Sequence, residues 1–125
     1  MIKARDIHKT YGQLEILKGV NVDINEGEVV SIVGSSGAGK TTLLTILGTL
    51  DRPTSGTLNI GGIDVYGLND SKLAAFRNKH IGFVFQFHHL LPEFTAIENI
   101  CMPALIAKTA KKEAEKKAEE LLEYL

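Results

Sequence analysis

Residues 34–41 read Gly-Ser-Ser-Gly-Ala-Gly-Lys-Thr, which matches the phosphate-binding loop pattern G-x-x-x-x-G-K-[ST] in full. The run before it, Glu28-Val-Val-Ser-Ile-Val33, is short, apolar and β-branched, and this predicts a buried strand. The run after it, Thr42-Leu-Leu-Thr-Ile-Leu47, places leucines at the spacing of a helix face. The motif requires strand, glycine loop and helix in that order, and the sequence predicts that order.

The residue types of this loop suit a polyanion. Glycines at Gly34, Gly37 and Gly39 allow the main chain to curl so that consecutive N–H groups point inward, and a helix starting near Lys40 adds unpaired N–H groups and a positive dipole end. Lys40 supplies a point charge for phosphates and Thr41 a hydroxyl for Mg²⁺. The alternative is a glycine-rich turn that binds nothing, and such a turn needs no lysine. The candidate phosphate-binding residues are Gly34, Ser35, Ser36, Gly37, Ala38, Gly39, Lys40, Thr41 and Thr42.

Size and composition limit the other possibilities. The 125 residues suffice for one modest domain, and a net charge of −1 argues against a nucleic-acid surface. The single cysteine, Cys101, excludes an internal disulfide framework and is interpreted as a small buried residue. The sequence contains neither a secretion signal nor an apolar run long enough to span a membrane. We therefore expect a cytoplasmic protein that reaches a membrane only through partners.

Strands are predicted from apolar alternation and turn residues. Ile2, Ala4 and Ile7 indicate an irregular opening strand, and the stretch 20–24 alternates as a half-buried strand does. Gly61-Gly62 separates two short strand-like runs, which predicts a hairpin. Ile81-Gly-Phe-Val-Phe85 is predicted to be a second buried strand.

Three further helices are predicted. The first covers 71–79 with Asp70 or Asn69 as its cap. The second begins after Phe94, with Thr95 and Glu98 forming a capping box and Pro103 expected to break or kink it. The third starts near residue 109 and carries an apolar stripe opposite a solvated charged face; the stripe consists of Ala114, Ala118, Leu121, Leu122 and Leu125.

Several side chains outside the loop have two possible interpretations, one functional and one purely structural. Tyr11, on a turn, could stack on a base or simply pack. Gln86, at the end of a predicted strand, could touch a metal and an attacking water or make an ordinary hydrogen bond. His88 and His89 are adjacent and have no further ligand at suitable spacing, so contact with a partner or the core is favoured over metal binding.

The chain resembles the N-terminal half of an ABC-transporter ATPase domain along essentially its whole length. The residues that carry the resemblance are Tyr11-Gly12, the loop 34–41, Leu50-Asp-Arg-Pro-Thr-Ser-Gly56, Gly61-Gly62, and Gln86 after Ile81–Phe85. Within that family, the stretches 86–99 and 102–105 resemble the ATP-binding subunits of lipoprotein-releasing transporters, with macrolide-export and cell-division subunits as near relatives. The implied fold is α/β, a partial P-loop NTPase (RecA-like) core with an antiparallel β subdomain. Residues 1–125 would form the N-terminal portion of one ATPase domain.

The resemblance also implies roles for particular residues. ATP and Mg²⁺ would be the ligands, with Tyr11 stacking on adenine and the loop from Gly34 to Thr42 holding the phosphates. Thr41 and Gln86 would ligate Mg²⁺, and Gln86 would also sense the γ-phosphate and water. Residues 87–106 would face the membrane-spanning subunits, which would hold the protein at the inner face of the cell membrane. Leu90, Leu91 and Phe94 would then lie near the surface; ordinary core positions are the alternative.

The sequence departs from the family pattern in what it lacks. We find no acidic strand ending in Asp and a catalytic Glu, no Leu-Ser-Gly-Gly signature and no later switch histidine, and the sequence stops at Leu125 within a predicted helix. The resemblance therefore implies no catalytic residue and no ATP hydrolysis from residues 1–125 alone, with a second ATPase subunit completing the site in a longer protein. Unpaired strand edges lead us to expect self-association. A binding-only ABC protein acting on a soluble partner stays open, whereas a phosphate-loop kinase would need an acceptor site and lid that we do not see.

Overall fold

A computed structural model describes residues 1–87 and 89–124. Its compact units are Met1–Arg77 and a second unit from Asn78 onward, and each is described by itself. Along the chain the elements are β1 (Ile2–Tyr11), β2 (Leu14–Ile24), α1 (Lys40–Leu47), β3 (Ser55–Ile60), β4 (Ile63–Asp64), α2 (Asp70–His80), α3 (Ala96–Ile106) and α4 (Lys111–Glu123). Along the described parts of the chain, no helix has the length and apolar character that crossing a membrane requires.

The first unit is built on an antiparallel sheet with strand order β2-β1-β3-β4. Its central strand β1 pairs Ala4 with Val22 on one side and with Leu58 on the other. The register of β1 shifts after Ala4 on the side of β2, and Asp6 in this stretch has a φ of 50°. The irregular opening strand and the Gly61-Gly62 hairpin predicted from the sequence are both confirmed.

The apolar face predicted for the helix after the loop is confirmed in part: Leu43 and Leu47 are buried, whereas Leu44 is 53% exposed and Ile46 is buried instead. Fully buried positions include Ile7 on β1, Ile46 on α1 and Leu58 on β3, and burying one such side chain contributes about 1.5–3 kcal/mol. Of the two caps predicted for α2, Asp70 and Asn69, the structure has Asn69. Its carbonyl accepts from Leu73 N at 2.8 Å, and its side chain accepts from Lys72 N at 2.9 Å. The helix itself runs from Asp70 to His80.

Two predicted buried strands are wrong. Residues 28–33 form no strand, and Val29 and Val33 are 95% and 86% exposed. Residues 81–85 likewise form no strand, and Val84 is fully exposed. The physical reason is that a buried strand needs neighbouring strands to satisfy its backbone, and among the described residues neither segment pairs with one. The apolar, β-branched residues of these segments thus indicate a preference for strand, but they do not predict whether another strand pairs with the segment.

The second unit contains α3 and α4. The small side chains Cys101, Ala114 and Ala118 are buried together, with Ile97, Ile100 and Ala104 packed against them. The predicted burial of Cys101 is confirmed, and its thiol is free. α3 begins with the predicted capping box: Thr95 Oγ1 accepts from Glu98 N, and the Glu98 carboxylate accepts from Thr95 N at 2.8 Å.

Details of these two helices differ from the sequence expectation. Pro103 lies inside α3 and does not end it, since the helix continues to Ile106; proline removes one backbone hydrogen bond, and the turn after it can still form. Leu121 and Leu122 of the predicted α4 stripe are 58% and 38% exposed, while Leu125 lies outside the described residues. The predicted solvated face is confirmed by its exposed i,i+4 ion pairs, which are Lys111–Glu115, Lys116–Glu120 and Glu113–Lys117.

Candidate functional site

The helix that follows the phosphate loop begins where the motif predicts. α1 starts at Lys40 after Gly39, whose φ of 84° and ψ of 10° lie in the left-handed region. No side chain caps this helix, and its first turn contains no acidic residue. The first N–H groups of a helix have no partner inside it, so the start of α1 presents donors and a positive dipole end to an anion.

The loop is seated on strand β2 by close packing at Gly39. A Cβ at this position would lie 2.9 Å from Leu17 Cδ2 and 3.0 Å from Ile16 Cγ2. Gly37 has a similar φ of 78° but open space around it, with nothing within 4 Å of its Cβ position. Glycine is therefore required at Gly39 both by the backbone torsion and by the strand below it.

The loop lines an open pocket of about 280 Å³. Its lining carries one ammonium group and no carboxylate, and consists of Ile16, Ser36, Gly37, Ala38, Gly39, Lys40, Thr41 and Thr42. A second pocket of about 290 Å³ shares Lys40 and Thr41 with the first and includes Val30, Ile32 and Leu44. A concave surface with fixed N–H donors, one cation and three hydroxyl groups suits a phosphate chain.

Lys40 is bound to the loop itself. Its Nζ donates to Gly34 O at 2.9 Å and to Ser35 O at 2.7 Å. The ammonium thus holds the first two residues of the loop against the start of α1. An ammonium has three N–H donors, so one remains beyond the two that bind these carbonyls.

The Thr41 hydroxyl is the candidate ligand for Mg²⁺, and Thr41 lines the same two pockets as Lys40. Thr41 is exposed at the first turn of α1. Magnesium prefers oxygen ligands and commonly takes one or two from protein and the rest from phosphates and water. The residues present therefore fit a magnesium–phosphate ligand, with Thr41 as the protein donor.

Tyr11 lies at the end of β1 with its side chain 52% exposed. It is not among the residues that line the pocket of the phosphate loop. Its hydroxyl donates to Asp51 Oδ2 at 2.8 Å, and this hydrogen bond raises the pKa of Tyr11. The nearby Lys9 ammonium lowers the pKa of Asp51. The stacking role of Tyr11 stays a prediction.

Sequence reasoning assigned no role to three residues of this region. Ile16 lines the pocket from β2, and Lys9 and Asp51 contact Tyr11. Ile16 is one residue before the buried Leu17 on an alternating strand, which is the signal that could have pointed to it. No sequence signal links Lys9 to Asp51, because 42 positions separate them and their contact depends on how the sheet meets the end of α1.

Gln86 belongs to the second unit and is exposed. Its predicted contacts with Mg²⁺ and the γ-phosphate stay predictions. The apolar side chains that follow it are exposed, which decides between the two interpretations left open by the sequence: Leu90 is 65%, Leu91 45% and Phe94 44% exposed. These residues are not core in the described chain.

The segment before α3 is shaped by Asn99, a residue that sequence reasoning did not single out. Asn99 Oδ1 accepts from Leu91 N at 2.9 Å, and its Nδ2 donates to Leu91 O and Phe94 O, each at 3.1 Å. The hydrogen bonds from Thr95 also lower the pKa of Glu98. A loop held this way presents its exposed apolar side chains in a defined arrangement.

The preference for a partner or core contact over metal binding at His88 and His89 stays a prediction. His88 lies outside the described residues, and the His89 ring packs edge-on against Phe85 with centroids 5.0 Å apart. Within 1–87 and 89–124, no group of three or more His, Cys, Asp or Glu side chains could hold a metal ion.

Comparison with known proteins gives a consistent family. A family model described as ABC transporter matches residues 17–125. The lipoprotein-releasing system ATP-binding protein LolD of Porphyromonas gingivalis is 62% identical over 125 residues, and that of Bacteroides fragilis is 58% identical over the same length. These matches cover 100% of this chain but 57% and 58% of the two relatives. The chain therefore spans somewhat more than half the length of the relatives it matches.

Solved structures agree with the sequence comparison. The ATP-binding cassette MJ0796, in a dimeric post-hydrolysis state bound to ADP and Pi, superposes with a TM-score of 0.88 at 42% identity. A second dimeric structure of that bacterial ABC transporter cassette gives 0.89. Each match covers 98% of this chain and 56% of the other. The described architecture, an antiparallel sheet with helices, is thus a partial N-terminal ABC fold.

Proposed function

Because the chain belongs to the ABC transporter family, we propose that it binds ATP together with Mg²⁺ at the loop 34–41. The observation that carries this proposal is the pocket of the loop, which combines one ammonium, uncapped helix N–H groups and no carboxylate. A triphosphate carries several negative charges, and such a site would attract it without an opposing charge.

Each residue of the loop has a chemical task in this proposal. The main-chain N–H groups from Gly37 to Thr41 would donate to phosphate oxygens, and Lys40 would supply a positive charge to the terminal phosphates. Thr41 would hold Mg²⁺, which neutralises charge on the same phosphates when bound. Tyr11 would stack on the adenine ring, and Gln86 would contact Mg²⁺ and the γ-phosphate.

At the level of the whole protein, we infer a subunit that couples ATP hydrolysis to lipoprotein release from the inner membrane. The identity of 62% and 58% to two lipoprotein-releasing ATP-binding proteins supports this inference. A second ATPase subunit would complete the site, as the dimeric cassettes with similar folds suggest. The exposed apolar residues between 87 and 106 would bind the membrane-spanning subunits, which would place the protein at the cytoplasmic face of the membrane.

The nucleotide part is tested by titration calorimetry of the full chain with ATP and Mg²⁺. Lys40→Ala should weaken binding by at least about tenfold to a hundredfold, since one charged hydrogen bond alone contributes about 1.5–3 kcal/mol. Lys18→Ala is the matched control, because Lys18 is an exposed lysine on β2 and should bind ATP as the wild type does. Equal affinities of wild type and Lys40→Ala would contradict the proposal.

The transport part needs a whole ATPase subunit that contains residues 1–125, together with its membrane-spanning partners, in lipid vesicles that contain a lipoprotein. We expect lipoprotein to leave the vesicles when ATP is added, and Lys40→Ala to abolish that release. ATP hydrolysis without any lipoprotein release would support another member of the family, such as a macrolide exporter. ATP binding without hydrolysis in a longer protein that contains this chain and an acidic catalytic strand would favour a binding-only protein.

A further inference from the structure

Two charged residues contact the side chain of Tyr11: Lys9 lies over one face of the ring, and Asp51 binds the hydroxyl. Lys9 Nζ lies 4.9 Å from the centroid of the Tyr11 ring, within the range of a cation–π contact. The same ammonium is 2.7 Å from Asp51 Oδ2. That carboxylate oxygen also accepts the hydrogen bond from the Tyr11 hydroxyl at 2.8 Å. Lys9, Asp51 and the phenol therefore form a closed triangle of contacts, which we call the Tyr11 clamp.

The clamp is attached to the helix of the phosphate loop. Asp51 N donates to Thr45 O of α1 at 3.3 Å, and Asp51 O accepts from the Tyr66 hydroxyl at 2.8 Å. Lys9 is buried, 9% exposed, and its Nζ donates to Arg52 O at 2.6 Å. The carboxylate that holds Tyr11 is therefore anchored by main-chain contacts at the C-terminal end of α1, whose N-terminal end carries Lys40.

Because Lys9 lies over one face of the Tyr11 ring, only the other face is available for stacking. An exposed tyrosine ring normally exchanges between staggered rotamers, and ordering it on binding costs free energy. Here the hydroxyl is bound to Asp51 and one face lies toward the Lys9 ammonium, although half of the side chain is exposed. A base that stacks on Tyr11 must use the opposite face, which is already held in place.

We propose that Asp51 and Lys9 are positioning residues for the nucleotide base, because they hold Tyr11 in the orientation that stacks on it. This inference rests on the proposed binding of ATP at the loop 34–41. The inference gives Asp51 a role in binding the base, and this role is separate from the binding of phosphates by the loop. The clamp acts on the base alone, whereas the loop acts on the phosphates.

The experiment compares two ligands on the full chain by titration calorimetry with Mg²⁺: ATP, which has a base, and inorganic tripolyphosphate, which has none. Tyr11→Phe removes the hydroxyl and keeps the ring, and Asp51→Ala removes the acceptor. Each should weaken ATP binding by about threefold to tenfold, the size of one hydrogen bond, and should leave tripolyphosphate binding unchanged. Asp23→Ala is the matched control, because Asp23 is also an ion-paired carboxylate of the first unit, with its Oδ1 2.7 Å from Arg5 Nη2. This variant should bind both ligands as the wild type does.

A double-mutant cycle separates positioning from general damage. Since both changes break the same hydrogen bond, the Tyr11→Phe/Asp51→Ala protein should lose less ATP affinity than the two single losses combined. Circular dichroism checks that each variant is folded. If Asp51→Ala does not fold, Tyr11→Phe alone carries the test, and wild-type ATP affinity in that variant overturns the proposal.

The outcomes distinguish this inference from the proposed function. If the clamp variants lose affinity for ATP and for tripolyphosphate equally, the substitutions disturb the loop itself. That result would overturn the positioning role, but it would not contradict the proposal that the wild-type chain binds ATP. A Tyr11→Ala protein that binds ATP like the wild type would also overturn it, because the ring would then not be the base platform. A wild type that binds neither ligand would reject the proposed function and the clamp together.

Discussion

Alanine at Gly39 should destabilise the protein more than alanine at Gly37, although the two glycines share the phosphate loop. Both have left-handed backbones, with φ of 84° and 78°, so each substitution costs about 1–2 kcal/mol in torsion. Only the new methyl at Gly39 meets a neighbour, 2.9 Å from Leu17 Cδ2 and 3.0 Å from Ile16 Cγ2. Leu17 Cδ2 is the end of a side chain that can shift, whereas Ile16 Cγ2 is bonded directly to the β-carbon and moves only with χ1. We therefore expect an added cost of about 1–2 kcal/mol.

The summed expectation is about 2–4 kcal/mol for Gly39→Ala and about 1–2 kcal/mol for Gly37→Ala. Urea unfolding of the full chain, followed by circular dichroism, measures both free energies against the wild type. Ile16→Ala removes one of the two contacting methyl groups, so it should make Gly39→Ala less costly than it is in the wild-type background. Equal destabilisation by the two glycine substitutions would refute the packing of the loop on β2.

Two other predictions concern polar contacts away from the loop. The Glu15 carboxylate, 2.9 Å from His8 Nδ1, raises the pKa of His8 above 6.5, so this ion pair stabilises the fold at low pH and its contribution is lost as the pH rises through the folded-state pKa. The free energy of unfolding of the wild type should therefore exceed that of His8→Gln by more at about pH 5.5 than at about pH 8.5, and an identical difference at both would count against it. Thr95→Ala should cost about 1 kcal/mol by removing the cap of α3 and should speed hydrogen exchange in its first turn. Thr95→Ser should restore protection, and unchanged exchange in the alanine variant would be inconsistent with the capping box.

The features that sequence predicts well here are those decided within a few residues. The Gly61-Gly62 hairpin depends on two glycines between apolar runs, and the start of α3 depends on Thr95 and Glu98, three positions apart. The start of α1 at Lys40 follows from the glycine loop in the same way. Each of these needs only local torsions and local hydrogen bonds.

The features that sequence misses depend on distant parts of the chain. The apolar run 28–33 indicates a strand, but a strand becomes buried only when others lie on both sides of it. The Tyr11 clamp joins β1 to a residue 40 positions later, so it depends on the register of the sheet and the exit of α1. Neither kind of contact can be read from composition or periodicity.

The ammonium of Lys40 already rests on two carbonyl oxygens of its own loop, and this affects how any lysine substitution will be interpreted. The cation serves as an internal counter-charge that keeps the loop curled, so an arriving polyanion meets a loop that already has its shape and accepts from the N–H donor that the two carbonyls leave free. Removing the side chain takes away the attraction for phosphate and also releases the two carbonyls. The affinity lost in Lys40→Ala will therefore combine a missing contact with a loosened cradle, and it will exceed the direct attraction between ammonium and phosphate.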